Sequence, residues 1–279
     1  MIPFKHAPIL LLLFILGCKD SFSPFEEPSL YYALYGMLHT ARDTQYVRIF
    51  PVRHTLEATY PLPVEAYLQN ESTGAHYPLQ DTLLEKTWLY YAALTPEPGY
   101  AYTLFIVGSP SQKTSATIFI PTQPLINLDI PWRFDRIGRV EYPVQLLLRE
   151  GILQQILVVY FISRTPEEKP VAVEIAHDPT AIQDARNPQL FYLPIEQDQG
   201  EVRARLQVHY QDTLVTFHGI GLSVIVSDPF IRAHQENPAR SINVHRGIGY
   251  LGARARFDTT WQLPAEVIDS LNYRNVMIQ

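Results

Sequence analysis

Short stretches of alternating apolar and polar residues, broken by proline-bearing turns, recur from Tyr31 to Phe257. Alternation with period two places one set of side chains on one face of a strand and the other set on the opposite face. Val64, Ala66 and Leu68 share a face in this way, as do Tyr100, Tyr102, Leu104 and Ile106. Tyrosine, valine, isoleucine and threonine fill these stretches, and all four favour a pleated, half-buried surface. The chain holds one cysteine, Cys18, in 279 residues. No intrachain disulfide can form, so burial of a core must supply the stability, and a chain of this length buries enough surface to do so.

Seven strands are expected in the first part: Tyr31–Leu38, Tyr46–Pro51, Val64–Leu68, Tyr77–Leu79, Trp88–Ala93, Tyr100–Val107 and Ser115–Ile120. Turn signals at Asp43-Thr44, Asn70–Gly74 and Pro96–Gly99 separate them. Short strands at this spacing predict an immunoglobulin-like sandwich over residues 29–122. Pro121–Pro124 marks the boundary to a second, β-rich domain over residues 123–279. There Val144–Arg149, Gln155–Ser163, Val171–Ala176, Glu201–Tyr210, Thr213–Val226 and Tyr250–Phe257 read as strands. In Glu201–Tyr210, Val202, Ala204, Leu206 and Val208 face one way and Arg203, Arg205, Gln207 and His209 the other. Residues 177–188 read as a polar loop with a helical turn. One or two short helices are expected, one opening at Asp228-Pro229 with Asp228 as N-cap, the other over Pro264–Leu271. The fold class is therefore mainly β.

The first 17 residues have the form of a lipoprotein signal peptide. Lys5 and His6 precede an apolar run over Ile9–Ile15, too short to span a bilayer, and Gly17 precedes Cys18. Lipidation at Cys18 is expected, because two or more acyl chains anchor a protein stably where one does not. Residues 18–28 read as a tether, and Lys19-Asp20 resembles the surface-export signal of some Gram-negative lipoproteins. The expected location is the outer membrane, on its cell-surface or periplasmic face. Removing residues 1–17 takes away only Lys5, so the formal charge moves from −6 to −7. With no Lys/Arg cluster, nucleic acid is not an expected partner.

Several segments, taken in order, are similar to a bacterial lipoprotein family. They are Tyr32–Leu38 after the lipidated cysteine, Val64–Leu68, Pro98-Gly99-Tyr100 with Tyr102 and Leu104, and a strand ending at Pro121. Near the C-terminus Asn243-Val244-His245-Arg246-Gly247-Ile248-Gly249-Tyr250-Leu251-Gly252-Ala253 is the most specific piece. The chain thus resembles the outer-membrane family labelled domain of unknown function 4249. The resemblance implies an N-terminal immunoglobulin-like domain, a second β-rich domain, and bacteria whose outer membranes carry TonB-dependent transporters. It supplies no catalytic residues.

The residues themselves carry little catalytic signal. There is no Gly-x-Ser-x-Gly elbow, no metal-binding His-Glu-x-x-His, and no cysteine besides Cys18. Gly219-Ile220-Gly221 and Gly247-Ile248-Gly249 read as strand glycines that allow a bulge or a close backbone approach, not as phosphate loops. His209 and His218 could face each other across a hairpin, but a metal needs more ligands than two. Asp129 and Asp135 flank Trp132 in a loop, which superficially fits sugar hydrolysis. Trp88, Tyr91 and Trp132 are the candidate ligand contacts, because exposed aromatic side chains contribute strongly at interfaces. The expectation is a non-enzymatic outer-membrane lipoprotein, without cofactor or metal, that serves as a binding or accessory module beside a TonB-dependent transporter. A surface adhesin or glycan-binding module is the second reading, and a hydrolase whose site is assembled only by the fold is the third.

Replacing Cys18→Ser should release the protein from the membrane fraction. Fractionation and immunoblotting check this, and unchanged membrane retention would refute lipidation.

Overall fold

The computed structural model describes residues 30–52, 61–208, 215–237 and 243–275. Cys18, the signal segment and the tether lie outside the described residues, as does His209. The protein is mainly β, as its alternation predicts.

Eight strands form the N-terminal sandwich: β1 (Tyr32–His39), β2 (Thr44–Pro51), β3 (Glu65–Asn70), β4 (His76–Pro78), β5 (Gln80–Leu84), β6 (Thr87–Ala93), β7 (Ala101–Ser109) and β8 (Gln112–Phe119). They run in the orders β1-β2-β6-β5 and β8-β7-β3-β4, which is immunoglobulin-like topology. The inner faces supply Leu34, Val47, Ile49 and Tyr90 from one sheet and Leu68, Leu104, Ile106 and Ile118 from the other, all buried in one core. The single expected strand at Tyr77–Leu79 is two strands on different sheets. β4 ends before Leu79 and β5 begins after it, and β5 is mostly exposed, so it carries no alternation to read.

The rest of the chain adds β9 (Leu125–Asn127), β10 (Arg133–Phe134), β11 (Val140–Leu147), β12 (Ile152–Ser163), β13 (Val171–His177), α1 (Pro179–Ile182), β14 (Leu190–Leu193), α2 (Gln199–Arg205), β15 (Val215–Ser227), α3 (Phe230–Glu236), β16 (Val244–His245), β17 (Gly247–Trp261), α4 (Ala265–Ser270) and β18 (Tyr273–Asn275). Among the described residues there are four short helices, where one or two were expected, and none is long and apolar enough to cross a membrane. The largest correction is α2, which replaces the expected strand at Glu201–Tyr210. Gln199, Val202, Arg203 and Leu206 are buried, and their i, i+3, i+4, i+7 spacing is the stripe of an amphipathic helix. Val202 and Leu206 satisfy both periods, and packing chose the helical one.

The halves on either side of residues 122–123 share a sheet. β17 pairs in parallel with β1 from Tyr32↔Gly247 to His39↔Arg254, and its other end pairs antiparallel with β15 from Ser227↔Arg254 to Ile220↔Trp261. The result is the order β13-β12-β15-β17-β1-β2-β6-β5, with β18 beside β15. A smaller sheet, β10-β11-β14 with β9 also on β11, packs into the same core. Trp261 ties the two sheets: its Nε1 donates to Tyr142 Oη at 2.9 Å and the rings stack 6.1 Å apart.

The Asn243–Gly252 segment seals the open side of the sandwich. β16 pairs with β8 through Val244↔Ala116 and His245↔Ser115, and β17 then pairs with β1. Between them Arg246 takes a φ of +52°, and its carbonyl accepts from Thr114 Oγ1 at 2.7 Å and from Tyr31 N–H at 3.1 Å. Asn243 Nδ2 donates to Thr117 O at 3.1 Å and to Leu251 O at 2.6 Å, and its Oδ1 accepts from Leu251 N–H at 3.2 Å. Gly249 has φ +110°, and a Cβ there would lie 1.9 Å from the Leu34 carbonyl oxygen. The close approach expected of the strand glycines occurs here. The expected bulge is at Gly219: Phe161 pairs with Gly219 and Ile162 with Phe217, leaving His218 as the extra residue.

Gly249→Ala should therefore cost well beyond the ~1–2 kcal/mol of a left-handed residue alone, because a backbone oxygen cannot step aside. Gly138→Ala, at φ +82° with nothing within 4 Å, isolates the dihedral cost. Urea denaturation of both variants checks this, and equal losses would sink the steric account.

Candidate functional site

The small sheet carries the best-defined concavity. Pro143 has no N–H to donate, and it sits on β11 between the stretches paired to β10 (Glu141↔Arg133) and to β9 (Gln145↔Asn127). The chain opposite it, Leu128–Pro131, makes no ladder pairs and leads through Trp132 into β10. A groove of about 290 Å³ lies beside β10 and β11, lined by Asp135, Arg139, Glu141, Gln183, Tyr192 and Glu196 among others.

Each carboxylate of this groove is engaged by a donor. Asp135 Oδ1 accepts from Ile137 N–H at 2.9 Å and Arg139 N–H at 2.8 Å, and its Oδ2 accepts from Arg139 Nε at 2.8 Å. These bonds, the Arg139 amide first, hold its carboxyl below the usual range. Glu141 Oε2 accepts from Arg133 Nε at 2.6 Å, which raises the guanidinium further. Glu196 Oε1 accepts from Val140 N–H at 2.8 Å. A glycosidase needs one carboxyl kept protonated by its surroundings. Asp135 is driven the opposite way and closes its own turn, while Asp129 is exposed. The groove can accept polar groups and guanidinium or amide donors.

The three aromatic candidates are not brought together. Trp88 is half-buried on the face of β6 that carries the core residue Tyr90. Tyr91 is on the opposite face, where its hydroxyl donates to Gln80 Oε1 at 2.7 Å and its ring lies 6.1 Å from that of Tyr46. Trp132 packs partly against the core and meets Phe134 edge-on at 5.3 Å. Tyr192 is the aromatic residue lining the groove.

Two clusters are invisible in the linear sequence. Ser163 Oγ and His218 Nε2 are 2.7 Å apart, across the bulge that His218 creates. The Ser163 hydroxyl also lies 2.5 Å from the Thr165 carbonyl, which can only accept. Its one proton goes there, so His218 Nε2–H donates to Ser163. That direction is the reverse of a serine activated by a histidine base. The second cluster centres on Asp198, 5% exposed, whose Oδ2 accepts from Tyr160 Oη at 2.6 Å and meets His177 Nε2 at 3.1 Å. Burial, then Asp198, pushes the Tyr160 hydroxyl well above its ordinary range. Among the described residues no group of three or more His, Cys, Asp or Glu side chains is placed to hold a metal ion. Tertiary packing joins these residues, 55 apart in one cluster and 38 in the other, so no local motif could have found them.

No protein-family profile and no curated protein matches the chain.

Tyr160→Phe should leave Asp198 buried with one donor fewer and lower stability by about 1–3 kcal/mol. Chemical denaturation checks this; an unchanged midpoint would mean that the Tyr160–Asp198 bond is not a stabilising one.

Proposed function

We propose that the protein is a lipid-anchored accessory module of the outer membrane that binds a protein partner, a transporter of the TonB-dependent class, and does not transform a substrate. The lipidation signal at Cys18 and the resemblance of Asn243–Ala253 to the outer-membrane lipoprotein family support the address and the class of partner. One observation carries the binding role, the β10–β11 hairpin beside the groove. Ile137 at its tip is 74% exposed, the highest value among the exposed large apolar side chains, and Phe134 is 49% exposed. Fully burying a side chain of this size is worth about 1.5–3 kcal/mol, so a partner that covers the hairpin gains that contribution. Arg133, Arg136 and Arg139 surround the two apolar side chains, and arginine with aromatic residues is the composition of interface cores. Asp135 and Glu141 occupy Arg139 and Arg133, which leaves Arg136 without a carboxylate partner among the described residues. A partner presenting apolar surface with a carboxylate fits this arrangement.

A second reading, glycan binding, draws on Tyr46 and Tyr91, neighbouring rings on the outward face of β2 and β6. Retention on a glycan array that is lost in Tyr91→Ala would favour it. The hydrolase reading has least support, because the Ser163 proton is committed to a carbonyl.

Affinity purification of the tagged, lipidated protein from detergent-solubilised outer membranes tests the leading proposal. A TonB-dependent transporter should co-purify and be identified by mass spectrometry. Phe134→Asp with Ile137→Asp should reduce its recovery about tenfold without shifting the melting temperature. Recovery of the intact protein as a partnerless monomer, or undiminished recovery by the double variant, would overturn it.

A further inference from the structure

Two arginines stand two residues apart on the outward face of β17, in opposite surroundings. Arg256 is neutralised: its Nη2 donates to Glu174 Oε1 at 2.7 Å and its Nε to Asp258 Oδ1 at 2.9 Å. Arg254 has no carboxylate bonded to it among the described residues, and its Nε is buried without an acceptor. Its strand partners are Ser227 on β15 and His39 on β1. Ser227 is 0% exposed and its Oγ has no partner. On the same outward face His234 of α3 stacks on Tyr250 at 4.6 Å, and its Nδ1 is also buried without a partner.

A buried polar atom left unsatisfied costs about 1–3 kcal/mol, so native structures keep few of them. Here three occur on one outward face, contributed by β15, β17 and α3. His39 is held down to about 4 by burial, then by Arg42, then by Arg254. The adjacent carboxylate, Asp228, is already occupied: Oδ1 accepts from Phe230 N–H at 2.9 Å, and Oδ2 accepts from Tyr250 Oη at 2.5 Å and Ala253 N–H at 2.8 Å. The helix starts one residue later than expected: Pro229 is the N-cap of α3 and Asp228 stands just before it.

We propose that Arg254 and Ser227 form a binding site for a small tetrahedral oxyanion, of phosphate or sulfate type, beside α3. An arginine fork matches two oxygens of an oxyanion. The Ser227 hydroxyl, directly opposite Arg254 in the ladder, supplies a further donor. The acceptor sites of a carboxylate lie in one plane, whereas a tetrahedral oxyanion presents oxygens in three dimensions to donors that converge from different strands. This site is separate from the groove and hairpin and does not depend on the partner proposed for them.

Calorimetric titration of the intact protein with inorganic phosphate, sulfate and acetate at constant ionic strength tests it. Phosphate or sulfate should bind saturably, with Kd about 1 mM or tighter, and acetate should not saturate. Arg254→Gln should weaken binding about tenfold, and Ser227→Ala about threefold. The His39 imidazole, followed by NMR, should titrate at a higher pH when phosphate is bound, because an adjacent anion favours the charged ring. If Arg254→Gln does not fold, Ser227→Ala and the His39 titration decide. No saturable binding of either tetrahedral anion, acetate binding as tightly, or unchanged affinity in the variants would overturn the site, leaving the three atoms to ordered water.

Discussion

The parallel pairing of β17 with β1 holds the two halves of the chain in one sheet. It requires that the backbone at Gly249 lie against the Leu34 carbonyl, closer than any side chain permits. Asn243 then bonds to both the β8 edge and β17, so one segment covers the side of the sandwich where two sheets would otherwise end. Uncovered strand edges invite association, and here the C-terminal segment covers that edge from within the chain. The glycines and the asparagine of Asn243–Gly252 thus have a structural role that accounts for their order without any ligand.

From that join the polar interactions of the outward face follow. Strands far apart in the chain place Glu174, Ser223, Arg256 and Asp258 side by side, where their charges and hydrogen bonds close on one another. Two residues back along β17 the same register places Arg254 beside Ser227 and His39, where they do not close. The contrast between these neighbouring rows separates a structural network from a candidate site.

Much of the fold was legible because each strand of the sandwich buries one face and shows the other to water. The strands that escaped notice lack that contrast. β5 is exposed along most of its length, and it joins β6 through Glu85 and Lys86, both at positive φ without the Asn-Gly that usually marks such a turn. Residues 201–206 were misread because Val202 and Leu206 fit a period of two and a helical repeat equally well; the buried Gln199 and Arg203 decide between them only once their neighbours are known. The aromatic candidates illustrate the same limit. Trp88 and Tyr91 alternate to opposite faces as their spacing requires, but nothing local to Trp132 shows that it packs beside Phe134 and outside the groove.

The sequence by itself determined that the chain is mainly β and that its first part is an immunoglobulin-like sandwich. These depend on side-chain periodicity and short-range motifs, which a linear chain displays directly. Only the tertiary structure decided that the two halves share one sheet, that Asp135 closes its own turn, that the Ser163 proton faces a carbonyl, and that Arg254 lacks the carboxylates Arg256 has. The shared sheet and the contrast between Arg254 and Arg256 are set by the register between strands distant in sequence, and register depends on how whole faces pack, which no local pattern contains; the Asp135 turn and the Ser163 hydroxyl are settled by the backbone path within a few residues, which only the folded chain fixes.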